Sequence, residues 1–235
     1  MLSTIGWING TTAMIVLISG CLFGVFCIYK AKKKDAKLIL YLGFAAICSG
    51  LGFLGPCCDF IHILITGKNI DNSYGQIPKL SFIWLPITIL FGMYLGAALL
   101  MPKKKKIVLI IYSILGVLFE FFIFFDPNSF SYIYPKNSGE DLIDDSITIT
   151  SPAGILMLIF VLSALIFLGF GFLIQAIKST GATRKELLLL SFGMFLYIIF
   201  GGLDGLTTPG IALIFIRIPE IIGFWLMYFG LREKS

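Results

Sequence analysis

Charge is scarce in this chain. Only 13% of its 235 residues are charged and 58% are hydrophobic, with a mean hydropathy of +0.97. Soluble domains carry about 25% charged residues, so the composition excludes a water-soluble fold and predicts an all-α integral membrane protein. Histidine is scarcer still. His62 stands alone, which excludes a site of several histidine ligands and with it the membrane zinc hydrolases. No Ser-His-Asp set shares one depth, and the interiors of the last two apolar runs hold no lysine for a retinal Schiff base. No enzyme activity, catalytic residue, cofactor or metal is expected. A basic region ahead of the first apolar run is also missing, so that run is expected to remain as a span. The cysteine count of five is odd. Cys21, Cys27 and Cys48 fall in apolar runs and read as buried thiols; Cys57 and Cys58, adjacent at a segment end, read as small apolar residues or a redox pair.

Apolar length is abundant. A spanning helix needs about 20 mostly apolar residues, and seven stretches qualify: 6–29, 37–57, 80–101, 106–125, 152–177, 186–206 and 209–231. They are expected to form one membrane domain over 1–235, a seven-transmembrane helix bundle, with no soluble domain and no tail expected beyond Arg232-Glu233-Lys234-Ser235. The connections alternate in charge. The first holds Lys30, Lys32, Lys33, Lys34 and Lys37, the third Lys103 to Lys106, the fifth Lys178, Arg184 and Lys185. The second is nearly neutral, and the fourth is acidic through Asp126, Glu140, Asp141, Asp144 and Asp145. The positive-inside rule therefore puts the N-terminus outside and the C-terminus in the cytoplasm, in a multi-pass protein of the cell membrane. The net charge of +5 is explained by these loops and predicts no nucleic-acid partner. The lipid bilayer is the expected partner, and the basic loops are expected to offer contacts to anionic lipid or a cytoplasmic protein.

In the fourth connection, Ser131-Tyr132-Ile133-Tyr134 and Ser146-Ile147-Thr148-Ile149-Thr150 alternate polar with apolar around the turn-rich Pro135-Lys136-Asn137-Ser138-Gly139. The pattern predicts a hairpin over the outer mouth, or else a disordered acidic loop. Asn9-Gly10-Thr11 matches a glycosylation acceptor at the membrane surface. Gly20 to Gly24, Gly92 to Gly96 and Gly201 to Gly205 are small-xxx-small spacings that predict close helix crossings.

An internal repeat is also visible. Ile83-Trp84-Leu85-Pro86, Phe91 and Met93-Tyr94-Leu95-Gly96 align, with one slip, to Ile216-Arg217-Ile218-Pro219, Phe224 and Met227-Tyr228-Phe229-Gly230. The second span resembles the sixth in the same way. This predicts a 3+1+3 parallel pseudo-repeat, three helices, a linking helix and three more. Arg217 and Glu220 then stand where the first copy has Trp84 and Ile87.

Ionisable groups at membrane depth are expensive and mark sites. Arg217 and Glu220, three residues apart, lie on one helix face and are expected to pair; a purely structural ion pair is the plain alternative. Glu120, Asp59, His62 and Asp204 fall in the outer half with them. Together they predict an outward-facing polar ligand pocket built by spans two, four, six and seven. Arg217 is its anchor, because guanidinium offers a rigid fork to carboxylate or phosphate, and Pro219 is its hinge. Taken singly, Asp59, His62 and Asp204 also fit ordinary interfacial roles.

The runs Trp84-Leu85-Pro86-Ile87-Thr88-Ile89-Leu90-Phe91-Gly92, Gly201-Gly202-Leu203-Asp204-Gly205 and Gly223-Phe224-Trp225-Leu226-Met227-Tyr228-Phe229-Gly230-Leu231-Arg232 resemble the seven-transmembrane sensor regions at the front of some prokaryotic histidine kinases and their stand-alone archaeal relatives. That resemblance implies sensing outside and relay to a cytoplasmic partner. The expectation is thus a receptor-like protein for a small, anionic or zwitterionic ligand. A small-solute transporter of the SWEET-like parallel-repeat type and a structural membrane subunit are the alternatives.

Overall fold

The computed structural model describes residues 2–207 and 210–232. Its helices are α1 (Thr4–Lys34), α2 (Lys37–Leu51), α3 (Leu54–Thr66), α4 (Gln76–Phe82), α5 (Leu85–Leu100), α6 (Lys105–Phe125), α7 (Pro152–Ala164), α8 (Gly171–Lys178), α9 (Gly181–Asp204) and α10 (Ala212–Leu231). Six rods are long and apolar enough to cross a membrane, and α2 with α3 forms a further pair bent by 46°. The expected all-α multi-pass membrane bundle is therefore present among the described residues, with six spans, or seven when the bent pair counts as one, and that pair extends to Thr66 rather than ending at position 57. Position 209, where the seventh span was expected to begin, and the tail 233–235 lie outside the described residues.

Local chemistry sets the ends. Ser3 caps α1 by accepting from the Gly6 amide at 3.0 Å, and Lys32, Lys33 and Lys34 occupy the last turn, where cations suit the helix dipole. Ser151 caps α7 in the same way, accepting from Gly154 at 3.1 Å, with Pro152 at the first helical position. The α2–α3 break falls in Gly50-Leu51-Gly52-Phe53-Leu54-Gly55-Pro56, where glycines weaken the helix and Pro56, which lacks an N–H, is accommodated in the first turn of α3. Span five carries a π-helical turn over Leu165–Phe170 between α7 and α8. Such turns widen a helix locally; here Ser191 donates to the carbonyl of Gly169 at 2.9 Å.

The helices form a ring, α1 on α2, α2 on α5, α5 on span five, span five on α9 and α9 on α10, and α10 closes it against α1, while α6 packs outside on α5 and α7. Close approach depends on glycine. A Cβ on Gly24 would stand 2.7 Å from the Gly43 carbonyl oxygen, and one on Gly193 2.6 Å from that of Gly223. Two of the three expected small-residue crossings hold, Gly20–Gly24 against α2 and Gly92–Gly96 against span five. The third holds only in part: a Cβ at Gly205 would stand 2.9 Å from Met157 Cε of span five, but one at Gly201 meets nothing within 4 Å. The outside of the ring is apolar and exposed, with Leu22, Val117, Ile177 and Phe215 among the side chains facing lipid.

The expected hairpin is formed. Strand β1 (Phe130–Ile133) pairs antiparallel with β2 (Asp144–Ile147), with Ser131 opposite Ser146 and their hydroxyls 2.8 Å apart. The segment between the strands is pinned to neighbouring chain. The Ser3 amide donates to Glu140 O at 2.7 Å, the Gly139 amide to Asn69 Oδ1 at 2.7 Å, and Asn69 Nδ2 to Asp141 O at 2.9 Å. Leu142 completes a small apolar cluster with Phe60 and Ile63 of α3. The fourth connection is thus an ordered lid on the outer end of the bundle.

Candidate functional site

Arg217 lies in the second turn of α10, 4% exposed. Helical side chains lean toward the N-terminus, so its guanidinium points outward along α10, toward the ends of α9 and α1. Nε donates to Asp204 Oδ1 at 2.9 Å, and Nη2 lies 3.4 Å from Oδ2. Nη1 reaches the carbonyl and side-chain oxygens of Asn9, both at 2.7 Å, and Thr12 Oγ1 at 3.0 Å. The Phe53 ring lies 5.3 Å from the guanidinium carbon. A forked ion pair with three further acceptors is the kind of arrangement that offsets the loss of water around a buried charge.

This corrects the expected Arg217–Glu220 pair. The partner is Asp204, and Glu220, 0% exposed, has no hydrogen-bond partner for either carboxylate oxygen among the described residues. Direction explains the difference. Arg217 extends away from the next turn of its own helix and toward the polar outer ends, where Asn9 and Asp204 already sit. Asn9 was missed as a site residue. It is 5% exposed inside the bundle and engaged by Arg217, so its glycosylation match is ruled out by burial. The signal was the polar run Asn9, Thr11, Thr12 in the first turns of an otherwise apolar span.

A cavity of about 220 Å³ occupies the ring. Asn9, Asp204, Arg217 and Thr207 form part of its wall at the outer end, with Ile143 of the lid above. Tyr197 on α9 donates to the carbonyl of Ser49 on α2 at 3.3 Å, and both line it. Phe23, Phe224, Met194, Met227 and Leu168 make the remaining lining largely apolar. The cavity is therefore polar chiefly at its outer end and largely apolar below it. Every span except α6 contributes to the wall. Span four is thus removed from the expected set, and spans one, three and five are added. Glu120, on α6, lies off the cavity wall with its Oε2 buried and unpartnered among the described residues.

The other expected ligands have local partners. Asp59 is fully buried and accepts from Asn69 Nδ2 at 2.9 Å, from the Ile70 amide at 2.8 Å and from the Ile143 amide at 2.9 Å. Three donors fill its carboxylate, so it fastens the lid to α3 and does not face the cavity. His62 Nδ1 sits 2.8 Å from Lys68 O and closes the turn after α3. Helix α10 runs unbroken through Pro219. A second, open pocket of about 350 Å³ lies between the second and fourth connections, with Asn69, Asp71, Asn72, Ser73 and Tyr134 in its wall, and Ile143 borders both pockets. Asp71 there is exposed, and the hydroxyl and amide of Ser73 hold its carboxyl below the usual carboxylate range. A scan against models of known protein families finds no match, and a comparison with curated proteins finds none either.

Proposed function

We propose that this membrane protein is a receptor for a small molecule bound in the central cavity, with the change of state relayed to the basic cytoplasmic end. The observation that carries this reading is the cavity itself, closed in by six spans, with the Arg217–Asp204 pair fixed in its outer wall and an ordered lid above. Pockets of this kind, mostly apolar with a few placed polar groups, are the usual form of small-molecule sites. The resemblance to sensor regions of histidine kinases fits the same reading, as do the lysine-rich loops as a docking face for a cytoplasmic protein or anionic lipid.

One observation favours the transporter reading. The cavity is walled by spans one to three and five to seven and omits α6, the division that a 3+1+3 repeat with a linking fourth helix would give. Cys48 lines the cavity and separates the two readings without a known ligand. With the other four cysteines replaced, a membrane-impermeant maleimide labels Cys48 from the outer face only in a receptor. Labelling from either face in turn supports a transporter and sinks the receptor.

A further inference from the structure

The donors around the central cavity are largely spent. Arg217 and Asp204 are the only charged side chains on its wall among the described residues, and they offset each other. Asn9 and Thr12 take the Nη1 N–H groups of Arg217. The hydroxyls of the wall donate inward to the protein. Ser49 donates to Ala46 O at 2.9 Å, Ser81 to Ile77 O at 3.3 Å and Thr88 to Trp84 O at 2.9 Å. Tyr197 donates to Ser49 O at 3.3 Å and Thr207 to Leu203 O at 2.8 Å. All five line the cavity. A hydroxyl has one proton to give, so each of these offers a ligand only its lone pairs.

The strongest of the open acceptors is Asp204. Its Oδ1 takes the Arg217 Nε–H at 2.9 Å, but Oδ2 lies 3.4 Å from Nη2, beyond the usual N–H···O range. The Asp204 side chain is 15% exposed and stands on the cavity wall. An ionised oxygen left so loosely held favours a donor. Charge restricts which donor. An ammonium would add an unbalanced positive charge beside Arg217, and a carboxylate would have to displace Asp204; both are costly in a largely apolar chamber. A neutral O–H meets the need without either. Size restricts the body. An apolar cavity of about 150 Å³ holds benzene, so the roughly 220 Å³ here suits about nine or ten non-hydrogen atoms. Gly201, one turn inward of Asp204 on α9, lines the cavity, and a Cβ there would meet nothing within 4 Å. Room for that body therefore begins next to the carboxylate.

Resting on the receptor reading above, we infer that the cavity takes a small neutral alcohol, its hydroxyl donating to Asp204 Oδ2 at the outer end and its apolar body filling the space beside Gly201. Binding is non-covalent, and no bond is made or broken. The ligand is thus uncharged, where the lone arginine in the sequence suggests an anion.

The test is isothermal titration calorimetry on the full chain in nanodiscs, with empty nanodiscs subtracted. Four probes of similar shape are used: 3-phenylpropan-1-ol, butylbenzene, 3-phenylpropylammonium and 3-phenylpropionate. The alcohol is expected to bind saturably and at least about tenfold more tightly than either charged probe. Asp204→Asn keeps the side-chain shape and puts an amide donor in place of Oδ2. It is expected to weaken the alcohol by at least about tenfold, and to affect butylbenzene, which has nothing to donate, far less. Gly201→Leu fills the space without touching the carboxylate and should weaken both. Unliganded Tm reports whether each variant is folded. Unchanged alcohol affinity in folded Asp204→Asn or folded Gly201→Leu overturns the assignment, as do equal losses of alcohol and butylbenzene in Asp204→Asn. A charged probe binding as tightly as the alcohol overturns it while leaving the cavity reading intact. Failure of all four probes to bind overturns both.

Discussion

Arg217 and Asp204, 13 residues apart on consecutive helices, meet at 2.9 Å in the wall of the cavity, with side chains 5% and 15% exposed. The pair ties the outer ends of α9 and α10 together across the turn that joins them. Asn9 and Thr12 bring α1 into the same knot, so one guanidinium fastens three spans.

Removing one side of such a buried pair leaves the other uncompensated. Arg217→Ala is expected to destabilise by about 3–5 kcal/mol, read as a lowered Tm in detergent. Arg217→Lys should recover only part of this, because an ammonium cannot reproduce the fork. Combining Arg217→Ala with Asp204→Ala should cost less than the two single losses added.

The lid depends on Asp59. Replacing it by Ala leaves the Ile70 and Ile143 amides and Asn69 Nδ2 without their acceptor. Hydrogen exchange at the Ile143 amide is expected to accelerate by at least about tenfold, since a hydrogen bond to a charged group contributes roughly 1.5–3 kcal/mol. Exchange along the middle of α9 should not change.

The glycines divide sharply. Gly24→Ala sets a methyl 2.5 Å from Ile47 Cγ1 and 2.7 Å from the Gly43 carbonyl, and is expected to destabilise by about 1–3 kcal/mol. Gly201→Ala, with open space around it inside α9, should not lower Tm and is expected to raise it slightly, because alanine favours a helix over glycine by about 0.5–1 kcal/mol.

Asp71 carries a pH signature. Its carboxyl is held below the usual range by Ser73, so its share of stability is present above the unfolded value of 3.8 and is lost as pH falls through the lower folded value. Ser73→Ala should raise the Asp71 titration midpoint toward the ordinary range, measured by carbon NMR of the labelled carboxyl.

The sequence made the spans legible because hydrophobic length and lysine placement are local signals. The hairpin was legible for the same reason, as alternation around a turn. What it could not show is the order of helices around an axis. Periodicity at Glu120 marks a face of α6 but not whether that face meets a cavity, and here it does not. Arg217 and Glu220 share a face, yet Arg217 extends outward to acceptors supplied by two other helices. Asp59 looked like an interfacial carboxylate because its three donors lie in loops 10, 11 and 84 positions away.

Ile143 borders the central cavity, and its own amide is tethered to Asp59. If the receptor reading proposed above holds and the ligand enters on this side, Asp59→Ala should speed arrival and departure alike and leave the equilibrium constant where it was, which would make the lid a control on rate and the chamber beneath a control on selectivity.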